Sequence, residues 1–296
     1  MKIYDCTTFY SEHMMYDLRL NILNEHVEKF IVAEALYSHS GTQKKLNFDL
    51  NNYPKFKDKI IYLVIDKEPD DIHKISPTDT NLPAIKRANS LKRIELSYNS
   101  MLAETNKASD DDLIILSDND EIPNLKSDDF IKSKKDIIAF KQLFFYYKFN
   151  LHYDRLTWFG SKACKKRKLL SLSWLNNLKT KKYPFWRLDT LFSNSKHINI
   201  DIINNGGWHF SHLMSPEELY KKLINFGHHS EFEQSGLKLE DIKNKVKEKK
   251  VFYNHFADKI KQNNWDYDYP LKKVDNNVLP EFLISNLDKY KEWFDI

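Results

Sequence analysis

Two aspartates separated by one residue follow an apolar run in the middle of the chain. Residues 113–116 are all apolar, and Asp118, Asn119, Asp120 and Glu121 come shortly after them. Two carboxylates this close repel each other unless a cation neutralises them, and hard divalent ions such as Mg²⁺ or Mn²⁺ favour carboxylate oxygen. The triplet 118–120 is therefore a candidate D-x-D motif, which bridges a metal to the phosphates of a nucleotide-sugar.

The same acids have a second interpretation, because Asp and Asn also stabilise turns by bonding to their own backbone. The flanking residues favour the metal site. Residues 113–116 predict a strand covered on both faces, and ligands in open α/β sheets collect outside the carboxyl ends of such strands. We expect Asp118 and Asp120 at that edge. Asp120 is the stronger candidate for direct coordination, and Asp118 is also a candidate to contact the ribose or the sugar of the donor.

The first half of the chain alternates apolar strands with amphipathic helices. The pattern predicts strands at residues 2–9, 30–33, 59–65 and 113–116, and helices at residues 12–24 and 84–106. Strands that alternate with helices imply a parallel sheet with right-handed crossovers. The predicted fold class is α/β, a Rossmann-type, mostly parallel sheet with flanking helices. Asp5 and Glu34 are expected on the same rim as Asp118 and are candidates for donor binding, although acids also punctuate ordinary strand ends.

The second half is rich in aromatic residues. Tryptophan fills protein cores but also stacks on the apolar faces of sugar rings, and both interpretations stay open for Trp158 and Trp186. Further expected elements are a pair of strands at residues 136–147, a strand at 197–203, a helix at 219–226 with a capping box of Ser215 and Glu218, and a terminal helix at 279–293.

Charge and cysteine content exclude several classes of protein. The 296 residues include 46 Lys and Arg against 42 Asp and Glu. This net charge of +4 is spread among many acids and does not argue for nucleic acid as a partner. The longest basic cluster, residues 162–168, indicates a solvated loop or helix end, or a surface that meets anionic phosphates or a membrane. Cys6 and Cys164 cannot build a disulfide framework.

Targeting signals are equally sparse. The N-terminus has no apolar signal region, and no segment approaches the length of a membrane span. We therefore expect a cytoplasmic protein without a transmembrane segment, with peripheral membrane contact as an option at the basic cluster.

Several segments together resemble glycosyltransferase family 17, the family of the enzyme that adds the bisecting β-1,4-linked N-acetylglucosamine to N-glycans. The resemblance extends in order from residue 3 to about Glu231. The segments that carry it are residues 3–6 with Phe9, Glu12, Arg19 and Leu20, residues 32–34 with Ser40 and Gly41, residues 111–114 leading into 117–123, and residues 206–211.

The resemblance implies a GT-A type fold, a nucleotide-sugar donor, expected to be UDP-GlcNAc, and transfer with inversion with the help of Mn²⁺ or Mg²⁺. It also implies one catalytic domain, residues 1–296, with a nucleotide-sugar-binding half at 1–123 and an acceptor half at 124–296. We expect the chain to differ from the animal enzymes in lacking their membrane anchor and stem. A bacterial-type or viral glycan is therefore a more plausible acceptor than a Golgi N-glycan.

His209 is the third candidate metal ligand, beside Asp118 and Asp120. Many GT-A enzymes take a further ligand from a histidine well after the D-x-D, and a glycine pair precedes His209. The alternative is a buried histidine that bonds to backbone between Trp208 and Phe210. Strand alternation would direct His209 and His212 to opposite faces, so that they would not serve one metal together.

The remaining roles are less specific. Arg87 and Arg93, on the helix before the D-x-D, are candidates to bind donor phosphate, although basic residues often form only a solvated helix face. An inverting displacement needs a carboxylate base; Glu231 is preferred, with Asp189 second and Asp201 third. The candidate acceptor-binding residues are Trp158, Trp186 and Trp208.

Two other functions remain open on these residues. A nucleotidyltransferase on a similar sheet would release pyrophosphate from a nucleoside triphosphate. A carbohydrate-binding protein would use the aromatic residues without chemistry and would turn over no donor.

Overall fold

The computed structural model describes residues 1–76, 78–190, 192–255, 262–265 and 267–296. Its strands are β1 Ile3–Thr8, β2 Lys29–Ala35, β3 Ile60–Ile65, β4 Leu113–Leu116, β5 Glu121–Pro123, β6 Ile137–Phe140, β7 Leu143–Tyr146, β8 Leu151–His152, β9 Lys162–Lys165, β10 Ile200–Ile203, β11 Gly207–Ser211, β12 Lys250–Val251, β13 Tyr269–Pro270 and β14 Lys272–Lys273. Its α-helices are α1 His13–Leu23, α2 Leu82–Asn99, α3 Leu102–Thr105, α4 Asp128–Lys132, α5 Leu172–Asn177, α6 Pro216–Leu223, α7 His229–Ser235, α8 Leu239–Lys247, α9 Glu281–Ser285 and α10 Leu287–Tyr290.

The larger sheet is mostly parallel, with the strand order β10-β6-β9-β4-β1-β2-β3. Strands β4, β1, β2 and β3 run parallel to their neighbours in this series, whereas β9 lies antiparallel between β4 and β6. This arrangement, with helices on its faces, confirms the predicted α/β class.

Both faces of this sheet are covered, as the apolar run of β4 predicts. Leu113 and Ile115 pack into the same core cluster as Leu18 of α1. Ile114 and Leu116 face the opposite way, into a cluster that contains Tyr98 of α2. The alternation of a strand sends successive side chains to opposite faces, so a fully apolar strand is stable only where both faces are dry.

A second sheet, with the order β14-β8-β7-β11-β5, adjoins the first through the turn that follows β4. Strand β5 begins at Glu121, directly after the two aspartates, and pairs antiparallel with β11. In this register His209 lies opposite Glu121. The chain therefore brings the glycine-rich segment from its second half to the predicted D-x-D turn.

The predicted strands at 2–9, 30–33, 59–65 and 113–116 are confirmed as β1 to β4, and the helix at 12–24 is confirmed as α1. The helix at 84–106 begins earlier, with Pro83 in its first turn, and ends at Asn99 before the separate α3. The capping box of Ser215 and Glu218 is confirmed at the start of α6.

The single terminal helix predicted at 279–293 is wrong. The chain forms two short helices, α9 and α10, and then the 3-10 turn Lys291–Trp293. Asn286 interrupts the run with φ −126° and ψ 33°, outside the helical region. None of the helices in the described ranges combines the length and the apolar character that a bilayer span needs. The predicted division into halves after residue 123 stays a prediction.

Candidate active site

The two aspartates lie on a tight turn between β4 and β5. The backbone N–H of Glu121 donates to the carbonyl of Asp118 at 3.0 Å, and Oε2 of Glu121 accepts from the Asp118 N–H at 3.0 Å. The carbonyl of Asp120 accepts from the N–H of Phe210 in β11 at 2.8 Å. The turn is thus fixed from within and by the second sheet.

A buried ion pair of Arg19 and Asp5 holds the backbone of this turn. Arg19 of α1 donates to both carboxylate oxygens of Asp5, at 2.7 and 2.5 Å. The same guanidinium donates to the carbonyl of Glu121 at 2.6 Å and approaches that of Asp118 at 3.4 Å. Asp5 lies in the middle of β1 and is 1% exposed. The expected rim position of Asp5 is therefore wrong, and its contacts position the turn through Arg19.

Asp118 and Asp120 lie in opposite electrostatic environments. Burial and the neighbouring carboxylates of Glu121 and Asp120 raise the pKa of Asp118 to about 7, although Asp118 accepts a hydrogen bond from the Tyr98 hydroxyl at 2.8 Å. Burial alone would also raise the pKa of Asp120, but His209 outweighs it and lowers that pKa on balance. Asp118 is consequently a carboxylate whose charge the protein leaves poorly compensated.

His209 faces Asp120 across the turn. Its Nε2 lies 3.6 Å from Oδ1 of Asp120, and its ring stacks on Phe144 with centroids 4.3 Å apart. Burial disfavours the charged imidazole, but the carboxylates of Asp120, Glu121 and Asp118 raise the pKa of His209 on balance. Its Nδ1 is buried and has no hydrogen-bond partner.

His212 lies beyond the end of β11, with a positive φ of 61°. The strand alternation that separated it from His209 therefore does not extend to it. Burial and the nearby Lys222 lower the pKa of His212 to about 3, and its Nδ1 is buried without a partner.

Glu121 is held by the segment that precedes β9. Its Oε1 accepts from the indole N–H of Trp158 at 2.6 Å. An ideal Cβ on Gly160 would lie only 2.1 Å from Cδ of Glu121, so any side chain there would displace the carboxylate. Gly160 is thus required by the close approach of Glu121.

A cleft of about 620 Å³ opens beside Asp120. One wall carries Lys222 of α6, which lies 3.2 Å from Oε1 of Glu12, while Oε2 of Glu12 accepts from the backbone N–H groups of Tyr10 and Ser11. Burial disfavours the Lys222 ammonium, but Glu12 and Asp120 raise its pKa on balance. The charged and titratable residues that line the cleft are Glu12, His13, Lys44, Lys45, Asp120, His212, Glu218, Lys221 and Lys222.

Residues 1–294 match the family model described as Glycosyltransferase family 17. The chain belongs to glycosyltransferase family 17. It is accordingly an enzyme that transfers a sugar, with a nucleotide-sugar donor and a glycan acceptor as its substrate classes.

Other comparisons are distant. Among curated proteins, none matches the chain. HddC from Yersinia pseudotuberculosis is 12% identical, with 69% of this chain and 91% of that chain covered and a TM-score of 0.29. The inositol-1-phosphate CTP transferase from T. maritima is 12% identical, with 78% and 96% covered and a TM-score of 0.34. Similarity at this level carries no argument about the activity of the glycosyltransferase.

Within the described ranges of this glycosyltransferase, no group of three or more His, Cys, Asp and Glu side chains is arranged to hold a metal ion. The structure brings His209 of β11 next to the turn that carries Asp118 and Asp120, but the three side chains do not converge on a single point. Mg²⁺ commonly takes only one or two protein carboxylates and completes its shell with water and substrate phosphates. The metal-ligand roles of these residues stay predictions.

Glu34 is the penultimate residue of β2, at the expected carboxyl end of the strand, but it is only 1% exposed. It accepts hydrogen bonds from the Lys44 ammonium, the Tyr62 hydroxyl and the backbone N–H groups of Asn47 and Phe48. Because Lys44 and Asn47 line the cleft, the contacts of Glu34 fix that wall of it.

The two predicted arginines make protein contacts. Arg93 is 6% exposed and donates to Glu68 at 2.6 Å. An ideal Cβ on Gly41 would lie 2.5 Å from Nη2 of Arg93. Arg87 donates to the carbonyl of Gly227 and lies 3.7 Å from Glu231. Donor binding by these arginines stays a prediction.

The three candidate bases lie in different settings. Asp201 of β10 accepts a hydrogen bond from the Ser133 hydroxyl at 2.6 Å. Glu231 of α7 is 3.2 Å from Nδ1 of His228, and its Oε2 is buried without a hydrogen-bond partner. Asp189, on the 3-10 turn Leu188–Thr190, pairs with Arg187 at 2.7 Å and with Lys196 at 2.8 Å. The N–H of Arg187 and the ammonium of Lys196 hold the pKa of Asp189 well below its usual range.

The candidate acceptor tryptophans differ in exposure. Trp208 is 9% exposed, packs in the main core cluster and donates to the Val278 carbonyl at 2.7 Å, so the expectation that it contacts an acceptor is wrong. Trp158 is partly buried against His209, with ring centroids 4.8 Å apart. Trp186 is 66% exposed. Acceptor binding by Trp158 and Trp186 stays a prediction.

Sequence reasoning assigned no site role to Lys222 or Glu12. Glu12 belongs to the residues that carry the family resemblance, which was a usable signal. Lys222 lies on the polar side of a capped helix, where a lysine is ordinarily solvated. Only the folded structure, which brings Lys222 of α6 to the residue that precedes α1, shows that these two charges meet.

Proposed function

We propose that the protein is an inverting, metal-dependent glycosyltransferase that transfers N-acetylglucosamine from UDP-GlcNAc to a hydroxyl group of a glycan. One observation carries the proposal: the cleft joins Asp120 of the D-x-D turn to four lysine side chains. A nucleotide-sugar diphosphate has the complementary chemistry, because its phosphates bind ammonium groups and its metal binds carboxylates.

The carboxylates of the turn have the chemistry of a divalent-ion site, and the ion would have to draw its ligands together, since no three of them converge in the described residues. The raised pKa of Asp118 reflects burial beside Glu121 and Asp120, and a bound cation would relieve that repulsion. His209 directs its Nε2 towards Asp120, at 3.6 Å from Oδ1, so the neutral imidazole can share an ion with that carboxylate. Asp118, Asp120 and His209 would hold the ion. A bound Mn²⁺ or Mg²⁺ supplies positive charge for the diphosphate leaving group.

The lysines of the cleft act on the same diphosphate. Glu12 anchors Lys222 on the wall that faces Asp120, which fixes the position of its ammonium before the donor arrives. Lys44, Lys45 and Lys221 surround the same space. Cations positioned in advance at a site of developing negative charge stabilise the transition state without reorganising.

Glu231 is the proposed base. Inversion requires a carboxylate that takes the proton of the acceptor hydroxyl on the face opposite the leaving group. His228 and Arg87 outweigh burial and lower the pKa of Glu231, which keeps it ionised, and its Oε2 is unpartnered. Arg87 lies 3.7 Å from Glu231 and donates to the carbonyl of Gly227, two residues after Asn225, which lines the cleft. Asp189 is the weaker candidate, because two cations hold its carboxylate.

Incubation of the purified protein with a panel of nucleotide-sugars tests the proposal. With Mn²⁺ or Mg²⁺, UDP-GlcNAc is expected to be hydrolysed slowly to UDP, and EDTA is expected to prevent this. Release of pyrophosphate from a nucleoside triphosphate would support a nucleotidyltransferase instead. If no donor is turned over while glycans bind equally well to the wild type and to Asp120→Ala, the protein is a carbohydrate-binding protein.

A further inference from the structure

The loop formed by residues 179–190 and 192–196 exposes large apolar side chains to solvent. Phe185 is 81% exposed, Trp186 66%, Leu188 69% and Phe192 90%. These residues fall within eight positions of the sequence. Scattered apolar residues on a surface need no explanation, but a contiguous group marks a surface that meets another apolar phase.

The same loop is strongly basic. It contains one acid, Asp189, and five basic residues: Lys179, Lys181, Lys182, Arg187 and Lys196. Asp189 already pairs with Arg187 and Lys196. The whole chain has a net charge of only +4, so this short loop carries a positive charge comparable to that of the entire protein.

Hydrogen bonds close the loop at its base. The backbone N–H of Lys179 donates to the carbonyl of Ser195 at 2.8 Å, and the indole N–H of Trp174 donates to the carbonyl of Asn194 at 2.5 Å. Within the loop, the buried Thr190 donates its hydroxyl to the Arg187 carbonyl at 2.6 Å. Closed ends and internal hydrogen bonds are the features of a compact Ω-type loop. The exposed apolar side chains therefore lie on such a loop.

We propose that this loop docks the protein on an anionic membrane surface. Transfer of phenylalanine, tryptophan and leucine side chains to the boundary between headgroups and acyl chains lowers their free energy. Lysine and arginine beside them are attracted to anionic lipids. One partner therefore satisfies both features of the loop, whereas a soluble neutral glycan would stack on Trp186 but would offer no counter-charge to Lys179, Lys181 and Lys182.

The basic cluster at residues 162–168, where the sequence allowed for membrane contact, does not offer such a surface. Lys162 is 8% exposed. Lys165 and Arg167 both pair with Asp111 and Asp136. Three of its five charges are therefore buried or paired, and the loop that exposes aromatic side chains beside its lysines is the next one along the chain.

The docking loop begins at the same edge of the large sheet as the D-x-D turn. Lys162 lies opposite Leu116, the last residue of β4, and its ammonium donates to the carbonyl of Asn176 at the end of α5. Lys179 follows directly after this helix. Docking through the loop would hold the donor cleft close to the bilayer, although the docking itself depends on neither donor nor metal.

Co-sedimentation with vesicles tests the proposal on the full chain. The protein is expected to bind vesicles that contain phosphatidylglycerol, to bind pure phosphatidylcholine weakly, and to dissociate as salt is added. The combined substitution Phe185→Ser, Trp186→Ser and Phe192→Ser and the pair Lys181→Ser and Lys182→Ser should each weaken partitioning about ten-fold or more. Ile131→Ser, at a 62% exposed position on α4, is the matched control and should bind like the wild type.

Trp186→Phe provides a second measurement that does not depend on large substitutions. Brominated lipids should quench tryptophan fluorescence in the wild type, and most of that quenching should disappear in Trp186→Phe while vesicle binding persists. The proposal is overturned if anionic vesicles fail to bind, if both multiple variants bind like the wild type, or if quenching survives in Trp186→Phe. Binding of a soluble glycan that the same substitutions abolish, without vesicle binding, would also overturn it.

Discussion

Arg19 binds both carboxylate oxygens of Asp5, at 2.7 and 2.5 Å, with neither side chain exposed. The remaining guanidinium donor reaches the carbonyl of Glu121. The pair therefore joins β1 and α1 to the backbone of the D-x-D turn. Because both side chains are buried, the charge of each one is stable only in the presence of the other.

Asp5→Asn should destabilise the protein by about 3–5 kcal/mol, because it leaves the Arg19 charge buried without its partner. The free energy of unfolding in urea measures this. The double variant Asp5→Leu with Arg19→Met is expected to be less destabilised than the sum of the two single variants, since no isolated charge remains. Additive losses would contradict the role of the pair.

Gly160→Ala should destabilise the protein by about 1–3 kcal/mol, because its Cβ would overlap the carboxylate of Glu121. The displaced carboxylate would also release the Trp158 indole and the Asp118 N–H. Thermal unfolding measures the loss. Adding Glu121→Ala removes the overlapping atoms, so the double variant should lose less stability than the sum of the losses in the two single variants. A loss equal to that sum would show that the overlap with Glu121 is not the cause.

Lys222→Met should weaken the binding of UDP by about ten-fold or more, since a charge-assisted contact to phosphate is lost while the length of the side chain is kept. Isothermal titration calorimetry measures the dissociation constant. Lys243→Met is the control, because Lys243 pairs with Glu217 and Glu240 outside the cleft. Equal affinities in the two variants would remove Lys222 from the donor site.

Stability should fall on mild acidification. Burial lowers the pKa of His212 and His255 to about 3 and that of His39 to about 4. In the unfolded chain a histidine takes up its proton near pH 6.5. The contribution of these residues is therefore complete above that pH and is lost as the pH falls towards the folded values.

Asp118 and His209 act in the opposite direction, because the pKa of Asp118 is raised to about 7 and that of His209 is also raised, so that their protonation favours the folded state as the pH falls. Urea unfolding at about pH 7 and about pH 5 measures the balance of these opposing contributions. Asp118→Asn should make the loss of stability on acidification steeper. A gain of stability at the lower pH in the wild type would contradict this assignment of protonation states.

Local patterns in the sequence predicted the first four strands, α1 and the turn that carries Asp118 and Asp120. The apolar run of β4 is decisive because only a sheet with two covered faces accommodates it. The same reasoning misplaced Asp5, which lies in the middle of β1, and missed the burial of Glu34 at the end of β2. A cationic partner, Arg19 or Lys44, neutralises each of them, and such a partner cannot be identified from the strand itself.

Other features depend on contacts between distant parts of the chain. Trp208 fills the core rather than meeting a sugar, and the chemistry of an indole serves either role. The pair of Glu12 with Lys222 depends on how α6 packs, which its capping box does not determine. The exposed aromatic loop contrasts with Trp208, because exposure rather than residue type separates a core tryptophan from a surface one.

The most direct test of the central claim is release of UDP from UDP-GlcNAc by Asp120→Asn, with Mn²⁺ and with EDTA. The matched control is Asp128→Asn, because the Asp128 side chain is 84% exposed on α4. We predict that Asp128→Asn releases UDP at the wild-type rate and that EDTA abolishes release by the wild type and by Asp128→Asn. Release by Asp120→Asn is expected to be slower by about 100-fold or more. Release that withstands both EDTA and Asp120→Asn would contradict a metal-dependent transfer centred on this turn.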